Sequence, residues 1–222
     1  MPKLERDGEV FVLHLDPDDE NRFHPDRLTA LEAALDEVEA ATGPRALVTV
    51  GSGKFWSNGL DLDWLFANAD QYAAYLDRVH TLLARTLASP VVTVAALNGH
   101  TFAAGAMWAL AHDFRVMRAD RGYFCLPEVD LDLPFQRGMS DLIRARLAPQ
   151  TAHELMTTAR RYGGEQALAA GIVQAVASAE QLTAAAVELA RPLAAKSRPV
   201  RAEIKETLYA ETLASLRTPT AG

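Results

Sequence analysis

The sequence predicts a single α/β domain with a largely parallel β-sheet, followed by a mainly helical C-terminal part. Short apolar runs alternate with amphipathic helical segments over the N-terminal half, which is typical of parallel strands joined by crossover helices. Two of these runs lead into glycine-rich turns. The chain has 222 residues, 49% of them hydrophobic, so it can form a sizeable core.

The first half of the chain is predicted to alternate strand and helix. Apolar runs without helical spacing predict the strands, and apolar residues three or four apart predict the helices. Asp-Pro, Gly-Pro and Ser-Pro pairs mark the breaks between them. The predicted elements are a strand at 10–15, a turn at 16–19, a helix from Pro25 to Gly43, a strand at 46–50, a helix at 72–87 and a strand at 91–97.

The second half becomes helical after two short strands. We expect the helices that begin near residue 140 to pack on the preceding core or on another subunit, because their apolar faces need partners. The chain therefore divides into a core at 1–140 and a helical region at 141–222. The predicted elements are a helix at 106–111, strands at 114–117, 122–126 and 172–176, and helices at 140–147, 149–158, 164–170 and 179–195.

Charge and composition argue against several classes of partner. The formal charge is −7, so we expect no nucleic-acid or anionic-membrane partner. The single cysteine, Cys125, lies in an apolar run and is expected to be buried and inert. We expect no secretory leader at the N-terminus, no membrane span because no run of about 18 apolar residues occurs, and no peroxisomal address at Thr220-Ala221-Gly222. We expect a cytoplasmic protein.

Cofactor and metal motifs are also missing. Gly51-Ser52-Gly53-Lys54 lacks the upstream glycine of a phosphate-binding loop and the third glycine of a dinucleotide fingerprint. The histidines show no metal-ligand spacing. We therefore expect neither a cofactor nor a metal.

The two glycine-rich turns carry the functional prediction. One turn spans residues 51–62, after the strand at 46–50, and the other spans residues 98–105, after the strand at 91–97. A strand that turns through small residues into a helix presents free backbone N–H groups. Two such turns can direct one N–H each at a shared oxygen, which is the geometry of an oxyanion hole.

Four sequence blocks together resemble the enoyl-CoA hydratase/isomerase (crotonase) family over residues 10–177. They are Gly-Lys-Phe-x-x-x-Gly-x-Asp-Leu at 53–62, the segment from Pro90 to Asn98-Gly99, Pro127-Glu128, and Ala-x-x-x-Gly-Ile-Val at 167–173. The resemblance implies a crotonase-like spiral of strand-strand-helix repeats and a C-terminal helical region for oligomerisation. It also implies an acyl-CoA thioester as substrate, with a homotrimer or a dimer of trimers as the assembly.

The resemblance also implies roles for individual residues. The two oxyanion N–H donors would be the backbone groups of Leu60 and Ala104. The CoA would lie along the main chain of the first turn. Asp61 is expected to cap a turn or helix. The implied substrate-binding residues are Ser57, Asn58, Gly59, Leu60, Asp61, Leu62 and Ala104.

The reaction is predicted from two positions. Hydratases of the family are similar to one another in carrying two glutamates, whereas this chain has Met107 at the first position and Glu128 at the second. A thioether cannot exchange a proton with water at useful strength. One carboxyl group beside an oxyanion hole suffices for a double-bond shift. The chain is also similar to the Δ3,Δ2-enoyl-CoA isomerases, so we predict isomerisation of a 3-enoyl-CoA in β-oxidation.

Alternatives stay open on the sequence alone. Asp130 and Asp132 compete with Glu128 as the acid, since period-two alternation in an extended segment would put all three on one side. Hydratase, thioesterase or decarboxylase chemistry, or acyl-CoA binding without turnover, would use the same scaffold. Residues expected to surround the Glu128 carboxyl and raise its pKa are Trp108, Phe124, Leu126 and Phe135.

Overall fold

The computed structural model describes residues 2–15 and 20–220, and the turn predicted at 16–19 lies outside them. Nine strands and ten α-helices occur within the described ranges. The strands are β1 (Lys3–Asp7), β2 (Val10–His14), β3 (Ala46–Val50), β4 (Phe55–Ser57), β5 (Val92–Leu97), β6 (His100–Phe102), β7 (Phe114–Arg118), β8 (Phe124–Cys125) and β9 (Ala175–Ala177). The helices are α1 (Pro25–Ala40), α2 (Leu62–Ala67), α3 (Tyr72–Leu87), α4 (Ala103–Ala111), α5 (Arg137–Arg146), α6 (Pro149–Thr158), α7 (Gly164–Ala169), α8 (Leu182–Ala190), α9 (Arg198–Leu208) and α10 (Ala210–Arg217).

The strands form two sheets. The larger has six strands in the order β1-β2-β3-β5-β7-β9, and all neighbours are parallel except β1, which is antiparallel to β2. The smaller has three parallel strands in the order β4-β6-β8. Three repeats of the chain each add one strand to each sheet and then a helix, namely β3-β4-α2, β5-β6-α4 and β7-β8-α5. The predicted α/β crotonase spiral is confirmed.

Both faces of the larger sheet are covered. Strands β3 and β5 are buried along their whole length, which fits their β-branched and small apolar residues. One face packs into the main core with α1, α3 and α4. The other face packs against α8 through a second cluster that includes Leu182, Ala186 and Ala190. This double coverage fixes the sheet that supports the site.

Three short strands and the short helix α2 of the first half were not predicted from the sequence. Strand β1 was not predicted because its residues are charged and four of its five positions are exposed at the sheet edge. Strands β4 and β6 have three residues each and lie inside the two glycine turns. They are too short to show a periodic pattern. The long strands β3 and β5 therefore do not lead directly into the predicted donors, because β4 and β6 intervene.

The C-terminal region also differs in its boundaries. The strand predicted at 172–176 is β9 at Ala175–Ala177, and the helix predicted at 179–195 is the shorter α8. Helices α9 and α10, which the sequence reading left unassigned, follow. In the described ranges, no helix combines the length and the apolar character needed to cross a bilayer.

An ion pair between the buried Lys205 and the half-buried Asp113 joins α9 to the sheet. The Lys205 ammonium lies 2.8 Å from the Asp113 carboxylate and donates to the Ser89 carbonyl at 3.0 Å. Asp113 also accepts from the backbone N–H of Thr93 at 2.9 Å. Burial is the main cause that lowers the pKa of Lys205, and the Asp113 charge opposes it. The pair therefore compensates two largely desolvated charges at the start of β5.

Removing the cation should weaken the fold. Lys205→Met leaves the Asp113 carboxylate without its counter-charge, and we expect the free energy of unfolding to fall by about 3 kcal/mol. Urea denaturation measures the change. Lys196→Met, at an exposed lysine, is the control and should shift stability by less than about 0.5 kcal/mol. Equal urea midpoints for the two variants would contradict a stabilising role of the pair.

Candidate active site

The smaller sheet collects the predicted site residues at one edge. Its three strands are parallel, with Ser57 of β4 paired to Thr101 of β6 and Phe102 of β6 paired to Cys125 of β8. Parallel strands in this register end side by side. The carboxyl ends of such strands are where α/β folds commonly bind ligands.

Each strand of that sheet is followed closely by one predicted residue. Leu60 comes three residues after β4 ends, Ala104 two residues after β6 ends, and Glu128 three residues after β8 ends. Residues that are distant in sequence are thus brought to the same edge of one sheet. We call this the carboxyl edge of the small sheet.

The first two turns touch through their backbones. Gly59 has φ +81°, and a Cβ built on it would lie 2.9 Å from the Ala104 nitrogen and 3.1 Å from the Phe102 oxygen. Only a glycine allows this approach. Gly105 similarly abuts Ser57, since a Cβ there would lie 2.7 Å from the Ser57 Oγ. The turn after β4 is therefore packed directly on the first turn of α4.

Neither predicted donor is used within the fold. Ala104 is buried and is the second residue of α4, so its N–H precedes the intrahelical hydrogen bonds. Ala103 before it has φ +51°, an uncommon conformation for a residue with a Cβ. Leu60 is half-buried. Within residues 2–15 and 20–220, the Leu60 and Ala104 N–H groups have no hydrogen-bond acceptor.

The rest of the first turn is held by side chains. The Ser57 Oγ donates to the Asn21 carbonyl at 2.7 Å and accepts from the Gly59 N–H at 3.2 Å. Asn58 donates from its backbone N–H to the Glu20 carbonyl and from Nδ2 to the Glu20 carboxylate. These contacts fix the main chain that was predicted to bind the CoA.

The turn passes directly into α2. The carboxylate of Asp61 accepts from the Trp64 N–H at 3.1 Å as the N-cap of α2, which confirms the predicted capping role. Leu62 is the first residue of α2 and is half-buried. The Asp61 N–H donates to the Tyr75 hydroxyl at 2.9 Å. The sequence predicts a helix at 72–87 that includes Tyr75, but nothing in the sequence indicates where its hydroxyl lies.

Glu128 is a buried carboxyl group. It is 8% exposed, and within the described residues it is the only buried Asp or Glu. Its Oε2 has no hydrogen-bond partner in the described part of the chain. Burial raises the pKa of Glu128 to about 7, against a weaker lowering effect of its own backbone N–H. The group can therefore both accept and return a proton near neutral pH.

The other two candidate carboxyls lie in a different environment. Asp130 and Asp132 are exposed. The segment 128–132 forms turns, with the Asp130 N–H donating to the Pro127 carbonyl at 3.0 Å and φ +55° at Asp132. The extended alternation that would have placed all three carboxyls on one side is therefore wrong. Burial distinguishes Glu128 from both.

The aromatic and apolar residues expected around the carboxyl divide into two groups. Phe124 and Leu126 are buried beside Glu128 in sequence, and Phe135 is half-buried. Trp108 belongs to the core of α4, because its ring packs on Phe23 and Trp56 and its Nε1 donates to Thr86 at 3.1 Å. Its position around the carboxyl stays a prediction.

Two further side chains were discussed in the sequence analysis: Met107, which cannot transfer a proton, and Cys125, which was expected to be buried and inert. Met107 is buried on α4. Cys125 is buried, its thiol donates to the Ala159 carbonyl at 3.2 Å, and burial raises its pKa to about 11.

The buried histidine of this region is structural. His112 lies between the Thr49 hydroxyl at 3.1 Å and the Trp108 carbonyl at 2.8 Å. Burial lowers the pKa of His112 to about 4, so the ring is neutral at pH 7. Across residues 2–15 and 20–220, no cluster of three His, Cys, Asp or Glu side chains is arranged to bind a metal ion.

The approach of the two turns can be tested by adding one methyl group. Gly59→Ala combines a positive φ with overlap at the Ala104 nitrogen, so we expect a loss of unfolding free energy at least about 2 kcal/mol larger than for Gly43→Ala. Gly43 is the matched control, because it has φ +77° and open space around its Cβ position. Chemical denaturation measures both. Equal losses would show that the turns have room to separate.

Comparison with known proteins gives the chain its family. The Enoyl-CoA hydratase/isomerase family model matches residues 5–221. Enoyl-CoA delta isomerase 3 of Arabidopsis thaliana is 40% identical over 95% of this chain and 93% of its own length. A probable enoyl-CoA hydratase of Mycobacterium tuberculosis superposes with a TM-score of 0.90 at 28% identity, over 97% of this chain and 91% of its own. The human mitochondrial delta3-delta2-enoyl-CoA isomerase gives 0.89 at 25% identity, over 97% and 85%. The chain belongs to the enoyl-CoA hydratase/isomerase family.

Proposed function

We propose that this protein is an enoyl-CoA isomerase that shifts the double bond of a 3-enoyl-CoA to the conjugated 2-trans position in fatty acid β-oxidation. The observation that supports it is the carboxyl edge of the small sheet, where two unused N–H groups and one buried carboxyl follow three adjacent strands. Relatives with 40% and 25% identity carry delta isomerase in their names.

The proposed reaction needs one acid/base. The Glu128 carboxylate removes a proton from C2 of the 3-enoyl thioester, and the C–H electron pair is delocalised into a dienolate with its charge on the thioester oxygen. The N–H groups of Leu60 and Ala104 donate to that oxygen. The protonated Glu128 then returns the proton to C4, leaving the double bond between C2 and C3. Proton and electrons balance without a cofactor, so none is proposed.

The expected energies agree with the roles proposed for the two N–H donors and for the Glu128 carboxyl. A single oxyanion donor is typically worth about 2.7 to 4 kcal/mol in the transition state. The N-terminal position of Ala104 on α4 adds the positive end of the helix dipole. A pKa of about 7 gives Glu128 comparable populations of base and acid at neutral pH, which suits a group that must take up and return one proton.

Met107 supports isomerisation over hydration. Water addition requires a second group to orient and deprotonate the water, and the buried thioether of Met107 cannot do so. Hydratase, thioesterase or decarboxylase activity, or binding without turnover, are the outcomes that the assay below must exclude. The CoA is proposed to lie along the main chain of residues 57–62 and 104. A cytoplasmic location stays a prediction.

We further propose that the protein assembles as a homotrimer, or as a dimer of trimers. Val200, Ile204 and Leu208 lie four residues apart on α9 and are 51%, 57% and 65% exposed. Such spacing forms one apolar stripe along the helix. Apolar stripes of this kind are typical of surfaces that a partner covers.

The catalytic role of Glu128 predicts a specific loss and a specific pH profile. Glu128→Gln should lower kcat for 3-hexenoyl-CoA by about 1,000-fold, because the amide cannot take up the C2 proton. Since the carboxylate is the active form, kcat/KM of the unmodified protein should rise with pH through about 7 and then level. Absorbance of the conjugated thioester measures the rate.

Two exposed carboxyls provide the controls for this prediction. Asp130→Asn and Asp132→Asn should keep kcat within about twofold, because both side chains are solvated. Retained activity in Glu128→Gln, or an equal loss in Asp130→Asn, would contradict the assignment. Formation of 3-hydroxyacyl-CoA from a 2-enoyl-CoA at a comparable rate would indicate a hydratase instead.

The assembly can be measured by light scattering coupled to gel filtration. We expect a mass three or six times that of the 24.1 kDa chain. Ile204→Asp puts a charge in the apolar stripe and should shift the mass toward that of the single chain. Glu203→Gln, at an exposed position beside the stripe, should leave it unchanged. A single-chain mass for the unmodified protein would exclude the trimer.

A further inference from the structure

Three consecutive N–H groups of the first turn differ in how they are used. The Gly59 N–H donates to the Ser57 Oγ at 3.2 Å, and the Asp61 N–H donates to the Tyr75 hydroxyl at 2.9 Å. The Leu60 N–H between them has no acceptor in the described part of the chain. Side chains therefore bind the groups on both sides of the proposed donor and leave the donor itself free.

The peptide plane that carries the Leu60 N–H is held by one direct and two flanking hydrogen bonds. The Leu60 N–H belongs to the rigid peptide plane between Gly59 and Leu60. Gly59 has φ +81°, and a glycine limits the rotation of its neighbouring planes less than any other residue. The Gly59 carbonyl of this plane accepts from the Phe23 N–H at 2.7 Å. With the planes before and after it also held, by Ser57 and Tyr75, the middle plane has little freedom to turn its N–H away.

Each acceptor is itself held from a second side. Ser57 is fully buried, and its hydroxyl hydrogen is committed to the Asn21 carbonyl at 2.7 Å, so a lone pair faces Gly59. Tyr75 is 3% exposed on α3, with its ring centroid 5.2 Å from that of Trp64. Burial raises the pKa of Tyr75 to about 12, so its hydroxyl stays neutral across the working pH range.

We infer that Ser57 and Tyr75 are positioning residues that hold the Leu60 N–H in the direction of the thioester oxygen. The inference rests on the proposed function and assigns α3 a part in the oxyanion hole. Neither hydroxyl is required to touch the reacting atoms. Their effect reaches the substrate only through the peptide plane between Gly59 and Leu60.

The test removes one hydroxyl and keeps the ring. Tyr75→Phe retains the packing on Trp64 but leaves the Asp61 N–H without its acceptor. We expect kcat for 3-hexenoyl-CoA to fall about tenfold, less than for loss of a whole donor, with KM changed less than twofold. The midpoint of the kcat/KM profile near pH 7 should not move, because Glu128 is untouched.

A spectroscopic measurement isolates the donor. Bound 2,4-hexadienoyl-CoA absorbs at longer wavelength when hydrogen bonds polarise its thioester carbonyl, so the red shift on binding reports on the N–H groups. Tyr75→Phe and, independently, Ser57→Ala should reduce this red shift. Tyr72→Phe is the matched control on the same helix, where the hydroxyl accepts from Gln136 at the surface. It should match the unmodified protein in kcat and in red shift.

The outcomes separate this inference from the proposed function. An unchanged red shift in Tyr75→Phe overturns the positioning role, whether or not kcat falls. A reduced red shift with lower kcat, in a variant that remains folded at the assay temperature, supports it. If the unmodified protein does not convert 3-hexenoyl-CoA, the isomerase proposal fails. The red shift then still decides whether Tyr75 orients the Leu60 N–H.

Discussion

The backbone contact between the turn at Gly59 and the first turn of α4 is the constraint on which the site depends. It joins the ends of two strands of the small sheet without any intervening side chain. Because both turns are fixed to that sheet, the two proposed donors are held in place before any ligand arrives. Pre-organised dipoles of this kind lose no energy to reorientation during a reaction. Gly59 and Gly105 are therefore needed because they let the two turns approach closely, and not only because glycine is flexible.

Burial supplies the second half of the proposed chemistry. Glu128 belongs to a turn whose other carboxyls, at 130 and 132, lie in solvent, and yet its own side chain is enclosed. Carboxyl groups in this protein serve as the proposed acid, as surface groups or as an ion-pair partner. Only their surroundings distinguish them. A buried carboxyl with an unpartnered oxygen is costly for stability. Groups with pKa values perturbed in this way concentrate at functional sites.

Periodicity in the sequence predicts the large elements well and the small ones poorly. Helix α3 and strand β3 have the bounds that their apolar spacing predicts, because each presents a repeated face to a core. Strands β4 and β6 carry the site but have three residues each, too few for a repeat. The candidate residues could be named from a family resemblance. The Tyr75 hydroxyl contact could not, since it depends on how α3 packs over the turn.

The last strand of the large sheet has a consequence for biosynthesis. Strand β9 pairs with β7, but about sixty residues of helical chain separate them. While the polypeptide emerges from the ribosome, the N–H and C=O groups along β7 remain uncovered until residue 177 has been added. An open, apolar sheet edge is a template for association with other nascent chains. Among the inner strands of the large sheet, β7 therefore waits for its next neighbour through the longest stretch of synthesis, and we expect the nascent chain to be prone to association in that interval.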